Sequence, residues 1–413
     1  MKVKIFPQTL FGSITAPPSK SFAHRLIIAA CLARGGAVIK NAGNSEDVSA
    51  TVGALYDMGF DCVLKGGNVY IGEKTHKSKA QVFCGESGST LRFLLPIAAA
   101  LDIKTEFTGK SGLMKRPVDA LIGALNQNGA NIVGTKVNGK IKGGTFVIDG
   151  SKSSQYVTGL LFALPLLNED SRIIIKNGSV SEKYVDITLS VLESFKIAVK
   201  KTEDGFFVKG GSNYVMPKEL IVEGDYSGAA FYLAAGAIGG FVTVKGLKSD
   251  TRQGDAAIVD VLKAFGAKMT VESDGVTAEK GELKGVVLDV DGIPDLAQIA
   301  AVVACYAKGM TVLKNVGRLR IKESDRVVAI TQTLNAAKIK CDLSGNDLII
   351  YGGKPCGAAF TGAYDHRTVM AQTILATFAQ GESTVENAQA VNKSYTDFYK
   401  DYIKLGGKTN VDV

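Results

Sequence analysis

The sequence predicts an α/β protein made of six copies of one unit, three in each of two domains. Two patterns in the 413-residue chain predict it. First, six short polar turns open onto helices that are apolar on every side, reading LIIAACLA, LRFLLPIAAAL, YVTGLLFALPLL, GAAFYLAAGAI, LAQIAAVVACYA and VMAQTILATFA. A helix without a polar face is buried all round. Second, another helix in each unit stops at a regular interval, at Gly59, Gly129, Lys196, Gly266, Lys338 and Gly406. A strand, a glycine turn and a second strand follow, as in ALYDMGFDCVLKGGNVYIG and TLNAAKIKCDLSGNDLIIYGG. Glycine is the expected left-handed terminator of such a helix, and lysine sits there only with more strain. A period of roughly seventy residues is too long for an ordinary solenoid. The chain is long enough for two cores, which gives three units to each. The apolar helix is then surrounded by sheets, and the amphipathic one covers the outside. Pro17-Pro18 reads as a stiff crossing, and Gly224-Asp225 closes the third unit.

Composition narrows the function classes. A chain 46% hydrophobic and 21% charged suits a soluble globular protein. No apolar run approaches the ~20 residues of a membrane span, and MKVKIFPQTLFGSITAPPSK has neither a long apolar stretch nor a cleavage site. The six cysteines show no paired spacing, and Cys31 and Cys305 fall inside apolar helices. That suits a reducing cytoplasm. Three separated histidines and no CxxC argue against a built-in metal site. The net charge of +8 suits an anionic partner. The basic residues are not interleaved with aromatics, and the run from Lys74 to Lys79 reads as a solvated loop. Small phosphorylated metabolites fit better than nucleic acid.

The six turns hold the candidate chemistry. A helix N-terminus offers unpaired N–H groups and partial positive charge to an anion. At the first turn, Ser19 or Ser21 can cap, while Lys20 and Arg25 oppose the helix dipole unless an anion lies between them. The alternative is a capped helix with two surface cations. GESGSTLR places glycines where backbone can approach a ligand, with Arg92 one turn in. Arg116 precedes a helix whose first residue is expected to be Pro117, unless the pair is merely structural. Ser153, Ser154 and Gln155 offer neutral donors, or a simple cap. In RLRIKESDR, Glu323 lies among Arg318, Arg320, Lys322 and Arg326, with Asp325 close by. An acid so placed can keep a low pKa and stay ionised as a proton acceptor, or be shared with substrate protons; the alternative is an exposed salt-bridged helix start. Asp295 leads an apolar helix as an acid or as its cap. Asp365-His366-Arg367 opens the last, and Arg367 suits bidentate recognition of carboxylate or phosphate.

In this order PPSKS with Arg25, GESGSTLR, KRP, SSQ, GDYSGAA, IPDLA, IKESDR and DHR resemble the 5-enolpyruvylshikimate-3-phosphate synthase family of enolpyruvyl transferases, from about Pro17 to Lys393. The resemblance implies a two-domain inside-out α/β barrel of six βαβαββ-type repeats. One domain would join residues 1–18 to 225–413, the other would span 19–224, and the active site would lie in the cleft between them. It implies transfer of the enolpyruvyl group of phosphoenolpyruvate to the 5-hydroxyl of shikimate 3-phosphate, by a cytoplasmic monomer of the shikimate pathway. No metal, organic cofactor, nucleic acid or membrane partner is implied. Shikimate 3-phosphate contacts would be Lys20, Ser21, Arg25, Ser153, Ser154, Gln155, Ser181, Asp295 and Lys322. Phosphoenolpyruvate contacts would be Lys20, Gly88, Arg116, Gln155, Arg326, Arg367 and Lys393. Asp295 resembles the base for the 5-hydroxyl, Glu323 the group handling the methylene proton, and Lys20 a third proton-transfer candidate. Glu86 and His24 stand where the family more often has Asn, and Arg318 where some members use Asn. Of two rivals, UDP-N-acetylglucosamine enolpyruvyl transferases usually carry a cysteine before the R-P pair, and SGLMKRP has none. A non-catalytic phosphometabolite sensor would keep the arginines and lose the acids, yet Asp295 and Glu323 are both present.

Overall fold

The computed structural model describes residues 1–73, 75–177 and 182–412. Ser181 therefore lies outside the described residues. The chain divides into two compact units, one continuous (Lys20–Val222) and one joining Met1–Ser19 to Glu223–Val413. Among the described residues there are six four-stranded sheets, three in each unit. The six apolar stretches form helices: Lys20–Leu32, Gly88–Ala100 and Ser154–Ala163 in the continuous unit, Tyr226–Gly239, Ala297–Tyr306 and His366–Phe378 in the other. Every residue from Tyr226 to Ile238 is buried, as expected of a helix with no polar face to turn outward. Four of these helices begin at a side-chain cap: Ser87 accepts from Thr90 N–H, Ser153 from Gln155, Asp225 from Gly228 and Asp365 from Arg367.

Each unit has its own apolar core, its sheets enclosing the helices. The helices approach one another closely. A Cβ built on Gly159 would lie 2.3 Å from the Arg92 carbonyl oxygen, so glycine is required there. The six stops also behave as expected. Gly59, Gly129, Gly266 and Gly406 have φ between +91° and +103°, and Lys196 and Lys338 take φ of +61° and +59°. A side chain in that region costs about 1–2 kcal/mol, which neighbouring packing must offset.

Four of the buried helices link parallel neighbours in one sheet, as with Lys79–Phe83, the Gly88–Ala100 helix and Lys104–Thr108. At the two crossings between units this pattern is exchanged. Phe11–Thr15 precedes the first buried helix but pairs with Phe241–Lys245, and Leu220–Ile221 precedes the fourth but pairs with Ala37–Lys40. Each leading strand stays with its own unit, while the helix that follows it belongs to the other. Lys2–Phe6 lies between Ser383–Glu386 and Lys408–Asp412, antiparallel to both. No helix among the described residues is long and apolar enough to cross a membrane.

Candidate active site

In the continuous unit the polar groups gather where the three buried helices begin. Lys20 Nζ lies 2.7 Å from Asp47 Oδ2, both groups mostly shielded. Arg25 is buried among neutral acceptors. Its Nε donates to Thr188 Oγ1 at 2.8 Å, one terminal nitrogen to the Ser21 carbonyl at 2.7 Å, the other to the Tyr184 carbonyl at 3.0 Å. Burial pulls its pKa down to about 9, the lost hydration outweighing the opposing effect of Tyr184.

Arg92 orients Gln155. It donates to Gln155 Oε1 at 2.7 Å and to the Pro117 carbonyl at 2.8 Å, while Gln155 Nε2 donates to Ser89 Oγ at 3.0 Å. Tyr156 OH also donates to the Pro117 carbonyl, at 2.6 Å, which ties down the loop that carries Arg116. The Arg116 guanidinium rests against the start of the Gly88–Ala100 helix: a Cβ on Gly88 would meet its terminal nitrogen at 2.7 Å. Glycine at 88 is what lets this cation reach the helix end. Ser153 accepts from Gln155 N–H at 3.2 Å, and Ser154 is the first helical residue.

Pro117 itself is not helical, contrary to expectation. The helix runs Asp119–Gln127, and the Val118 carbonyl receives its first bonds from Leu121 and Ile122. Pro117 is kept out of the helix by the two side chains that its carbonyl accepts.

In the second unit the centre is Arg326, only 1% exposed. Its Nε donates to Asp365 Oδ2 at 2.9 Å, one terminal nitrogen to Asp295 Oδ1 at 2.8 Å and the other to Glu323 Oε2 at 2.8 Å. The second oxygen of Asp295 takes Arg367 at 2.9 Å, and Lys322 Nζ stands 3.8 Å from the first. Arg367 also donates to Ser227 Oγ at 3.2 Å, and Ser227 donates to Asp225. Lys393 Nζ donates to the Tyr364 carbonyl at 3.2 Å. Ala363 and Tyr364, just before the last buried helix, both have positive φ (+49° and +53°), a strained pair of the kind found beside functional groups.

Burial by itself would raise the Asp295 pKa. Arg367, Lys322 and Arg326 reverse this and hold the carboxyl well below its usual range. Asp365 is likewise buried yet lowered, by Arg326 and then His366. Asp295 is not a helix cap. Leu296 occupies that position without a side-chain cap, and both Asp295 oxygens are engaged by arginines. Nor is the Lys322–Arg326 segment a merely exposed ion pair, since Arg326 is enclosed by three carboxylates.

Within the continuous unit the structure thus joins Gly88 to Arg116, Gln155 to Ser89 through Arg92, and Arg25 to the Ser21 carbonyl. Within the other it joins Asp295, Lys322, Glu323, Arg326 and Arg367, with Lys393 tied to Tyr364. Sequence reasoning names Asp365 only as the acid opening the last buried helix, and gives Asp47, Tyr156 and Ser227 no role of their own. Asp225 and Asp365 occupy the same place in their repeats, immediately ahead of a buried helix, and that coincidence was the available signal.

Fold and polar clusters define a class of protein first: a six-repeat α/β chain whose buried helices begin among cations and carboxylates able to hold anions and move protons. The family model for EPSP synthase (3-phosphoshikimate 1-carboxyvinyltransferase) matches residues 6–402, and the chain belongs to that family. It is 37% identical over 417 residues to the 3-phosphoshikimate 1-carboxyvinyltransferase of Clostridium kluyveri, covering 98% of this chain and 97% of the relative. The Clostridium perfringens protein of the same name is 38% identical over 420 residues, covering 98% of each. Among solved structures, EPSP synthase from Acinetobacter baumannii matches with a TM-score of 0.82 and 25% identity, over 99% of this chain and 100% of that one. The two-domain inside-out α/β barrel expected from the sequence is the fold of this chain.

Proposed function

We propose that this chain transfers the enolpyruvyl group of phosphoenolpyruvate to the 5-hydroxyl of shikimate 3-phosphate, releasing phosphate, on the route to chorismate and aromatic amino acids. One observation carries the reading: Asp295 is held between Arg326 and Arg367, and Glu323 is held on the same Arg326. Two acids at fixed positions beside anion-binding guanidinium groups are what an addition–elimination between two anionic substrates needs.

Each substrate carries a phosphate and a carboxylate, so bringing the two together is opposed by charge. Lys20, Arg25, Arg116, Lys322, Arg326, Arg367 and Lys393 offset that repulsion. Shikimate 3-phosphate is assigned to Lys20, Ser21, Arg25, Ser153, Ser154, Gln155, Ser181, Asp295 and Lys322. Phosphoenolpyruvate is assigned to Lys20, Gly88, Arg116, Gln155, Arg326, Arg367 and Lys393. An anion that takes Arg367 competes with Asp295 for it. Each cation drawn from Asp295 moves its pKa back toward the ordinary carboxylate value, so substrate binding readies the base.

Asp295 then accepts the 5-hydroxyl proton as that oxygen attacks C2 of phosphoenolpyruvate. Glu323 delivers a proton to the methylene carbon, with Lys20 as an alternative donor, and a tetrahedral ketal forms. Glu323, now a carboxylate, takes a proton back from the methyl group as the C–O bond to phosphate breaks, giving the enol ether and inorganic phosphate. The reading calls for no metal or organic cofactor and for a monomer in the cytoplasm. A phosphate-release assay with both substrates, with each alone, and with UDP-N-acetylglucosamine as acceptor tests it. Release is expected only with phosphoenolpyruvate and shikimate 3-phosphate together; release with the nucleotide sugar instead would overturn the reading.

A further inference from the structure

A buried chain of side chains runs through the continuous unit beneath its polar cluster. Lys20 and His24 lie four residues apart on one helix, and Asp47 and Thr51 four apart on the Glu46–Asp57 helix. Residues at that spacing share a helix face. The two faces meet in two rungs: Lys20 Nζ to Asp47 Oδ2 at 2.7 Å, and His24 Nδ1 to Thr51 Oγ1 at 2.7 Å. From Thr51 the chain continues to Thr90 Oγ1 at 2.7 Å and from Thr90 to Ser87 Oγ at 2.7 Å. Ser87 caps the helix that starts at Gly88. Thr51, Ser87 and Thr90 are fully buried.

The direction of the chain follows from counting protons. A hydroxyl has one to give. Thr90 gives its proton to Ser87, so Thr90 must accept from Thr51, and Thr51 must accept from His24. The His24 hydrogen therefore sits on Nδ1. His24 Nε2 is buried without a hydrogen-bond partner, so a second proton there would be an unmatched N–H beside two cations. Burial, reinforced by Lys20 and Arg25 on the same helix and opposed by Asp47 across from it, pushes the imidazole pKa down to about 3. Phe93 stands edge-on to the ring, with centroids 6.4 Å apart.

We infer that His24 is a positioning residue for the reaction: as a neutral imidazole donating from Nδ1, it fixes the rotation of the helix carrying Lys20 against the turn that presents Gly88. The ion pair with Asp47 alone leaves the Lys20 side chain free to follow a rotated helix; the second rung removes that freedom. A displacement of about 1 Å in such a group can lower turnover on the order of a hundredfold. The inference rests on the reading of Lys20 and Gly88 as substrate contacts.

The test combines kinetics with nitrogen NMR on the full chain. His24→Leu and Thr51→Val remove the rung from either side. Each is expected to lower kcat about 10- to 100-fold with the thermal midpoint within a few degrees of wild type. The double variant should be no worse than either single one, because one chain is broken once. His24→Asn, whose amide can donate to Thr51, and Thr51→Ser should recover most of that loss. The sequence has three histidines, so His24 is assigned by comparison with His24→Asn. Its ring is expected to carry hydrogen on Nδ1 and to remain neutral at pH 6. A hydrogen on Nε2, or undiminished kcat in folded Thr51→Val, overturns the inference. Should His24→Leu fail to fold, the wild-type spectrum and Thr51→Val decide it. Lys20→Met with full turnover would sink the reading of the site itself. Lost turnover there, with normal turnover in Thr51→Val, would sink only the positioning role.

Discussion

In the Lys20–Val222 unit the described hydrogen bonds of the buried arginines go to neutral acceptors: Arg25 meets the Thr188 hydroxyl and the Ser21 and Tyr184 carbonyls, and Arg92 meets an amide oxygen and the Pro117 carbonyl. In the other unit Arg326 faces three carboxylates, and Arg367 shares one of them. Both clusters stand at the N-termini of helices from the same repeat. Neutral partners leave positive charge available to a ligand, which suits holding an anion. Carboxylate partners balance the charge and add groups that exchange protons, which suits chemistry. On the proposed reading, one architecture, repeated, gives one unit whose buried arginines hold substrate and another whose acids carry most of the proton transfer.

The sharpest way to break this contrast is to remove the acids. Asp295→Asn and Glu323→Gln are expected to reduce turnover by about 10²–10⁴-fold; shikimate 3-phosphate affinity, read by calorimetry, should stay near wild type in Glu323→Gln and weaken in Asp295→Asn, which also alters a contact to that substrate. Unchanged turnover would take that residue out of the mechanism. Next in size is the stability difference between buried arginines. Arg326→Met takes a buried cation away from three carboxylates and should cost about 3–5 kcal/mol; Arg25→Met takes one away from hydroxyl and carbonyl oxygens and should cost about 1–3 kcal/mol. Equal losses in denaturant titrations would mean that the two environments are not energetically distinct.

A pH titration of stability separates the units further. His24 binds a proton near 6.5 when unfolded and near 3 when folded. Between those values the unfolded chain holds more protons, so this contribution is complete above 6.5 and is lost as pH falls toward 3. From pH 6.5 to 5 the loss amounts to about 2 kcal/mol, and His24→Leu should remove it. The lowered carboxyl of Asp295 adds a loss only at more acidic pH, below the ordinary carboxylate range. A His24→Leu profile as steep as wild type above pH 5 would contradict this separation. The smallest effect is backbone strain. Lys196→Gly in one unit and Lys338→Gly in the other relieve positive φ at equivalent stops and should each gain about 0.5–1 kcal/mol. A loss at either position would show that the lysine makes contacts that outweigh its strain.

Much of this was legible in the chain because it is local. The apolar helices, their polar openings and the left-handed stops depend on residues within one turn of each other, and all six stops have positive φ. Glu323 and Arg326 are three apart, so their pairing could be read directly. What could not be read joins distant positions. Asp365 meets Arg326 across 39 residues, Arg92 meets Gln155 across 63, and His24 meets Thr51 across 27. No local propensity encodes such pairs. Pro117 misled for a related reason: its carbonyl is claimed by Arg92 and by Tyr156, 39 residues on. The strand exchange at the two crossings was likewise invisible to periodicity, which records that a strand is present but not which neighbour it joins.

The antiparallel pairing of Lys2–Phe6 with Lys408–Asp412 has a consequence for biosynthesis. Lys2–Phe6 can find neither of its neighbours, Ser383–Glu386 nor Lys408–Asp412, until the chain beyond residue 383 has been made. The Lys20–Val222 segment needs nothing from later sequence and can settle while synthesis continues. Closing so long a loop is entropically slow, so the Lys2–Phe6 strand waits without either neighbour, and nascent chains stalled short of residue 383 should be unusually open to proteolysis there.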